Sequence, residues 1–510
     1  MTVGSRVAPD VSVRSRRNTD GRSALAGPAK TTFNAAMAMS ARTLAAVLDV
    51  LWMDRAGAGR IARRQQARLE RMVAHARSAS PFYRELYRGL PGGAPDLSAL
   101  PVVTKPQLME HFDDVVTDRS VTRAEVDAFL AELGNIGRPF HGSYLVAKSS
   151  GTSGHPGVFL LDERARVLAT AIPRARGSLT SWFGPVAALR FVATGRRYAL
   201  VAVGGGPYAA FTMFEWTRRE HPKVTGSMRF VSVMDPIEAQ VGQLNEFRPR
   251  ALGGYPSAIR LLAREQAAGR LRIRPMFVVL AGETVVPSAR RAIESAFGCP
   301  AYEEFGSTEN GVLAVQCREG WLHAMTDWYA LEAVDARYRP VPDGTRSHTL
   351  LVTNLANRLM PLIRYDQGDS VLFRPGPCPC GSRFPAMTVI GRTDDVLVLP
   401  GPGGHGTVSL EPAGIVAAVE DTPGISRVQL VQRSAADIEI RLQVDRGADR
   451  REVQAAARSR LASFLAAHGA GSVTLHASDD PPALHPVSGK FAQVVRSDAL
   501  ARPRASPARR

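Results

Sequence analysis

The feature that most narrows the fold is an alternation running through residues 189–363. Short apolar runs at 198–203, 230–233 and 276–280 take turns with helical stretches at 257–268 and 287–297. Strands separated by helices pair in parallel through helical crossovers, so this part reads as α/β around a parallel sheet. After Asp395 the texture changes. Residues 410–420 read as a helix, 427–432 and 438–444 as alternating strands, 449–467 as a long helix and 473–476 as a strand. That order predicts a small α+β domain. At 510 residues the chain exceeds what one core usually serves. We therefore expect a large domain over 31–393 and a small one over 394–500. Residues 1–30 and 501–510, rich in Arg, Ser, Gly and Pro without periodicity, read as disordered basic tails. Residues 57–79 place Ile61, Leu69, Met72, Val73 and Ala76 at helical spacing among arginines, an amphipathic helix expected to clasp the large domain.

Charge and cysteine content exclude several classes. The formal net charge is +17, but the two tails carry +8 of it. No stripe of Lys and Arg interleaved with aromatics is present, nor any zinc-finger or helix-turn-helix spacing, so nucleic acid is not an expected partner. A basic body also suits anionic nucleotides. Four cysteines in so long a chain, without a leader pattern, point to a reducing cytoplasm. The apolar stretch 44–53 is interrupted by Asp49 and is too short to cross a bilayer, so no membrane association is expected.

Five segments carry chemistry. Ser149-Ser150-Gly151-Thr152-Ser153-Gly154-His155-Pro156-Gly157 combines hydroxyl donors with glycines before an apolar run, as loops that cradle phosphates do. It is neither a Walker loop nor a Rossmann fingerprint, and alone it could be a Ser/Gly linker. Tyr302-Glu303-Glu304-Phe305-Gly306-Ser307-Thr308-Glu309-Asn310-Gly311 follows a strand-helix unit opened by Ala281-Gly282-Glu283. It supplies an aromatic, a hydroxyl and a carboxylate, suited to stacking a base, binding phosphate and holding Mg²⁺ through oxygen. Asp369 follows Gly368, and Arg392 precedes Asp394-Asp395; a carboxylate past a glycine can take both ribose hydroxyls, and an arginine adds a charged donor. Each could also be a surface turn. Last comes Val487-Ser488-Gly489-Lys490.

Taken in this order, the five segments resemble the adenylate-forming superfamily of acyl- and aryl-CoA synthetases. The resemblance runs over residues 58–498 and is nearest to its phenylacetate-coenzyme A ligase-like branch. Gln65, Arg68-Leu69, His75-Ala76, Ser80-Pro81-Phe82-Tyr83 and Leu100-Pro101-Val102-Val103-Thr104-Lys105 are similar to that branch as well. The resemblance implies a large domain that binds ATP and a carboxylic acid, and a mobile C-terminal α+β domain turning about Asp394. It implies attack of the carboxylate on the α-phosphate, then transfer of the acyl group to a thiol, usually that of coenzyme A. Ser149, Ser150, Gly151, Thr152, Ser153 and Gly154 would hold the triphosphate. Gly282 and Glu283 would lie along the adenine, with Phe305 stacked on it. Thr308 would contact the α-phosphate, Glu309 would ligate Mg²⁺, Asp369 would grip the ribose beside Arg392, and Lys490 would reach the reacting groups.

Other residues extend or qualify this. Cys317, His323, Cys378 and Cys380 make a Cys₃His set that could hold a structural Zn²⁺, as in similar members of the branch; three unrelated thiols is the alternative, and Cys299 is left over. Gly205, Tyr208, Tyr255 and Pro256 sit where the branch forms its acyl pocket, with Phe211, Phe214 and Trp216 nearby, which favours an aryl or arylacetic acid unless these aromatics are plain core. Four departures stand out. Gly157 replaces a frequent lysine, Phe305 the usual Tyr, Asp366-Gln367 an Arg-Thr pair that would leave a negative charge near the nucleotide, and Ser382 a frequent Arg. Residues 400–406 are unusually rich in Gly and Pro. Expected partners are a small carboxylic acid, ATP and coenzyme A, the alternative acceptor being a carrier-protein thiol or an amine; a homodimer stays open.

Overall fold

The computed structural model describes residues 40–91, 96–149, 157–176, 190–191, 193–410, 412–484 and 491–496. The two tails therefore lie outside it, as do Ser150, Gly151, Thr152, Ser153, Gly154 and Lys490.

Local sequence explains the elements that frame the site. The strand Phe277–Ala281 is an almost unbroken apolar run with buried residues throughout its centre, as expected for a strand covered by helices on both faces. The helix Pro287–Phe297 opens with proline in its first turn and stops at Gly298, whose φ of 64° is the left-handed cap. Between them Ala289, Ile293 and Phe297 recur every four residues and bury one stripe against the sheet.

These strands belong to a nine-stranded sheet. From edge to edge it runs Asp369–Phe373, Ala386–Arg392, Leu322–Ala324, Gly311–Gln316, Ala301–Ser307, Phe277–Ala281, Ala251–Gly254, Tyr198–Ala202 and Met228–Ser232. The expectation of a parallel sheet holds for only one side. Strands from Met228–Ser232 to Ala301–Ser307 pair in parallel, whereas Ala301–Ser307 meets Gly311–Gln316 antiparallel and all pairings beyond are antiparallel. The reason is length. Only residues 308–310 join Ser307 to Gly311, which suffices for a hairpin but not for a crossover helix. Gly306 is required at that turn, because a Cβ there would lie 2.2 Å from the Gly311 carbonyl oxygen.

The amphipathic helix is present as Ala58–Ala79, burying Ile61, Leu69, Met72, Val73 and Ala76. It shares a core with Tyr83, Leu359 and Tyr365. A helix the sequence did not announce, Ala41–Asp54, lies against Glu163–Arg176. Beyond residue 396 a separate core gathers Leu397, Ile415, Val416, Leu430, Ile440, Leu461 and Val494. It is covered by the helices Pro412–Glu420 and Arg450–Ala467 and by a four-stranded sheet ordered Thr474–Ser478, Asp437–Val444, Ile425–Ser434, Val494–Arg496. Two corrections arise here. Leu410 ends a strand, Thr407–Leu410, rather than starting a helix, and the Gly/Pro-rich stretch turns the hairpin that pairs it with Leu397–Pro400. The short strand Val494–Arg496 was not expected. No helix among the described residues is long and apolar enough to cross a membrane.

Candidate active site

The carboxyl ends of parallel strands are where α/β sheets bind ligands, because the chain leaves the sheet there and loops diverge. Register places three of the predicted segments at those ends side by side. Gly254 pairs with Leu280 and Ala281 with Glu304, so Tyr255-Pro256, Gly282-Glu283 and Phe305-Gly306 emerge as neighbours. Glu283 ties them together. Its carboxylate accepts the Ser257 amide at 3.0 Å and the Ser257 hydroxyl at 3.1 Å, capping the helix Pro256–Ala267. It also accepts the Phe491 amide at 3.1 Å. The residue next to Lys490 is thus fastened to the segment expected to face adenine.

Glu309, at the turn where the sheet changes from parallel to antiparallel, is buried. Its carboxylate meets the Lys105 ammonium at 2.9 Å and accepts the Tyr365 hydroxyl at 3.1 Å. Burial alone would raise this carboxyl, but Lys105, with Arg392 contributing more weakly, outweighs it and holds Glu309 below the ordinary glutamate range. Thr308 is half-buried beside it. Asp369 and Arg392 face each other across paired strands, Nη1 to Oδ1 at 3.4 Å. Arg392 also donates to the Gln367 carbonyl at 3.0 Å, and the Gln367 side chain accepts from Asn310 at 3.0 Å, so a polar chain leads from the ribose-site candidates to the residue next to Glu309. The Asp366 carboxylate is held in place by neutral donors. It is buried and accepts from Thr349 Oγ1 at 2.6 Å, the Gly368 amide at 3.0 Å and the Tyr338 hydroxyl at 3.2 Å.

Sequence reasoning did not assign Lys105 to the site. It lies just after the run 100–104, and no spacing rule links it to Glu309. The structure explains Gly157 at the same stroke. A Cβ on Gly157 would fall 2.6 Å from the Phe159 ring and 3.4 Å from Lys105 Cδ, so the space a side chain would need is taken by Phe159 and bordered by Lys105. The phosphate-loop candidate is anchored at both ends. The Ser149 amide donates to the Gly157 carbonyl and the Gly157 amide to the Ser149 hydroxyl, each at 2.7 Å.

At the acyl-pocket candidates, Tyr255 is buried and Tyr208 half-buried, both with hydroxyls raised by burial. Gly204 and Gly206 are filled from within the protein, since a Cβ would meet Phe230 at 2.8 Å and Tyr208 at 2.5 Å; Gly205, with φ of 77°, faces open space. Phe211 and Phe214 pack edge-on to Phe230, and Trp216 joins a core with Leu145, Leu161 and Ala165, so these three read as packing. Thr393–Asp395 forms a short 3-10 turn at the expected hinge.

The ligating atoms of Cys317, His323, Cys378 and Cys380 all lie within 4.8 Å of one another. His323 Nε2 is 3.1 Å from Cys380 Sγ, while Nδ1 meets the Phe384 carbonyl at 2.9 Å. A ring fixed through one nitrogen by a backbone oxygen presents the other as a ligand, and three thiols with one imidazole fit tetrahedral zinc. Cys299 lies apart from this cluster, its thiol pushed up to about 12 by burial.

No protein-family model matches the chain. Among curated proteins it is 28% identical over 357 residues to phenylacetate-coenzyme A ligase of Thermus thermophilus, a match covering 66% of this chain and 71% of that one. Among solved structures, 2-hydroxyisobutyryl-CoA ligase in its postadenylation state superposes with a TM-score of 0.63 at 20% identity, covering 86% of this chain and 89% of that one. The chain is thus similar in sequence to a phenylacetate-coenzyme A ligase and shares the fold of a 2-hydroxyisobutyryl-CoA ligase. Protein CapK of Staphylococcus aureus is 26% identical over 223 residues, spanning 42% of this chain and 47% of CapK. The same hydroxyisobutyryl-CoA ligase in its thioesterification state matches at 0.51.

Proposed function

We propose that this chain is an ATP-dependent acid:CoA ligase. It activates a carboxylic acid as the acyl-adenylate and passes the acyl group to coenzyme A. Its likeness to the Thermus ligase supports the reaction class. The observation that carries the assignment of the site is the Phe491 amide held on Glu283, which fastens the chain beside Lys490 to the strand ends bearing Phe305 and Glu309.

In this reading Gly282, Glu283 and Phe305 hold adenine, Asp369 with Arg392 the ribose, and Ser149, Ser150, Gly151, Thr152, Ser153 and Gly154 the triphosphate. Glu309 is the residue that would hold Mg²⁺, which when bound neutralises phosphate charge. Carboxylate attack on an anionic phosphorus needs cations placed where negative charge gathers. Lys105 from the N-terminal segment and Lys490 from the C-terminal one supply them, and Thr308 donates to the α-phosphate. An oxygen of the acid forms the new P–O bond as the bond to pyrophosphate breaks; the thiol sulfur then attacks the acyl carbon and AMP leaves. The unit 394–500, turning about Asp394 against the domain 31–393, brings Lys490 in for the first step and withdraws it for the second. Tyr208, Tyr255, Pro256 and open Gly205 favour a flat aryl or arylacetic acid. The Cys₃His cluster takes a structural Zn²⁺.

Purified protein given ATP, Mg²⁺, CoA and a panel of aryl, arylacetic and short aliphatic acids should release AMP and pyrophosphate and form an acyl-CoA visible by mass spectrometry. Release of ADP and phosphate instead, or turnover with an amine or carrier thiol but never with CoA, contradicts the reading.

A further inference from the structure

A second feature lies where the helices Ala58–Ala79 and Glu163–Arg176 approach the turn after the strand Thr349–Asn354. Arg68, Arg71, Arg164 and Arg358, with Met72 and Leu355, line an open depression of about 200 Å³ including the solvent at its mouth. Arg68 is buried, its guanidinium 3.2 Å from the centre of the Trp328 ring and bonded to the Asp327 carbonyl. Arg164 is half-buried, 5.1 Å from the same ring. Among the described residues neither the Arg164 nor the Arg358 side chain donates a hydrogen bond, and Arg71 gives only one, from Nε to Ala67 O.

The acids in reach are already committed. Asp49 serves Arg64 and Arg68, the Asp162 carboxylate accepts the Ala165 and Arg358 amides at 2.8 Å, and Asp327 takes a two-pronged bond from Arg176 at 2.7 and 2.9 Å. Asp162 and Asp49 offset part of the charge on Arg164, but Arg64, Arg68, Arg71, Arg164 and Arg358 outnumber them, and the arginines disturb one another. Burial first, and then Arg64 and Arg164, lower Arg68 to about 9; burial and then Arg358 lower Arg164. Like charges gathered around a depression cost free energy that a doubly charged anion would recover, and guanidinium forks match phosphate oxygens in twos.

We propose that this depression is a binding site for a phosphate-class dianion, distinct from the adenylation site, with Arg164 and Arg358 as its principal donors and Arg68 as its fixed floor. The ligand is one phosphate group, free or borne by a small organic molecule, reached through the open mouth of the depression. Trp328 reports occupancy because two of the arginines rest on its ring. The site does not depend on the reaction assigned above.

The test follows Trp328 fluorescence in the full-length protein during titration with inorganic phosphate, against sodium chloride at matched ionic strength, with Trp328→Phe as the blank. A saturable change absent from the chloride series is expected, at least tenfold weaker in both Arg164→Met and Arg358→Met, and unaltered by saturating AMP. Repeating the titration with diphosphate and with glucose 6-phosphate separates free phosphate from an esterified group. A response that tracks ionic strength alone, persists in both variants, or disappears with AMP overturns the proposal. The variants should retain acid-dependent pyrophosphate exchange within about twofold in the absence of phosphate, so a dead adenylation site and an absent anion site give different results.

Discussion

The two halves of the large sheet solve different problems. In the parallel half each strand returns through a helix, so the strand ends stay open and their loops can diverge around a ligand. Tyr255-Pro256, Gly282-Glu283 and Phe305-Gly306 are such ends. In the antiparallel half, hairpins close the strands on one another, and the polar residues that collect there join neighbouring segments. His323 on Leu322–Ala324 reaches Cys380, and Arg392 crosses to Asp369. Glu309 stands at the change of direction. Chemistry should therefore be lost from the open side without loss of stability, and at the Cys₃His cluster of the closed side stability should be lost without loss of chemistry; Asp369 and Arg392, the ribose candidates, are the closed-side residues whose loss should cost chemistry.

The largest effect should come from Lys490→Ala. Removing one preorganised donor costs ~10²–10³ in rate, so pyrophosphate exchange should fall by that factor with Tm unchanged. Unchanged exchange would remove Lys490 from the mechanism. Lys105→Met should cost about 10² in exchange and should also lower Tm, because it leaves the buried Glu309 carboxylate without its nearest cation and with only the Tyr365 hydroxyl as a side-chain donor.

The reverse pattern is expected at the Cys₃His cluster. Protein purified without added metal should carry one zinc per chain, and Cys378→Ser should lose it. The loss should lower stability by about 2–3 kcal/mol, or about 5–10 °C in Tm, with exchange at 25 °C within about threefold of wild type. A metal-free native protein of undiminished Tm would break the contrast.

Glu304 offers a subtler test at the junction. Burial raises its carboxyl from 4.5 to about 7, so the folded protein holds this proton more tightly than the unfolded chain. Its contribution to stability is complete below about pH 4.5 and shrinks as pH climbs through about 7. Glu304→Gln should match wild type near pH 5 and exceed it in Tm at pH 8. The smallest effect is expected at Arg264, which binds Asp445 and the Ile425 carbonyl across to the C-terminal unit. It is partly exposed, so Arg264→Ala should cost about 0–1 kcal/mol.

What the sequence disclosed follows the same division. Elements governed by local pattern were legible. Residues 287–297 carry a proline start, a glycine stop and a four-residue apolar stripe, and the structure has that helix. Of the motif segments, 302–309, 369 and 392 could be placed because each is short and contiguous, while residues 150–154 and Lys490 lie outside the described residues. Long-range pairing was not legible. Nothing in residues 308–310 announced that the sheet reverses there, nor that Lys105 would meet Glu309 in the folded chain. The Gly/Pro content of 400–406 masked a hairpin, since alternation is weak in strands only four residues long. That the Asp366 carboxylate would be buried and fixed by three donors was equally hidden, since Thr349 and Tyr338 come from elsewhere in the chain.

The account stands most directly on ATP–pyrophosphate exchange measured over a panel of carboxylic acids, with and without CoA. Exchange that requires an acid, proceeds without CoA and is strongest with aryl or arylacetic acids is the predicted result. Folded, metal-replete protein that exchanges pyrophosphate with no acid in the panel would contradict it.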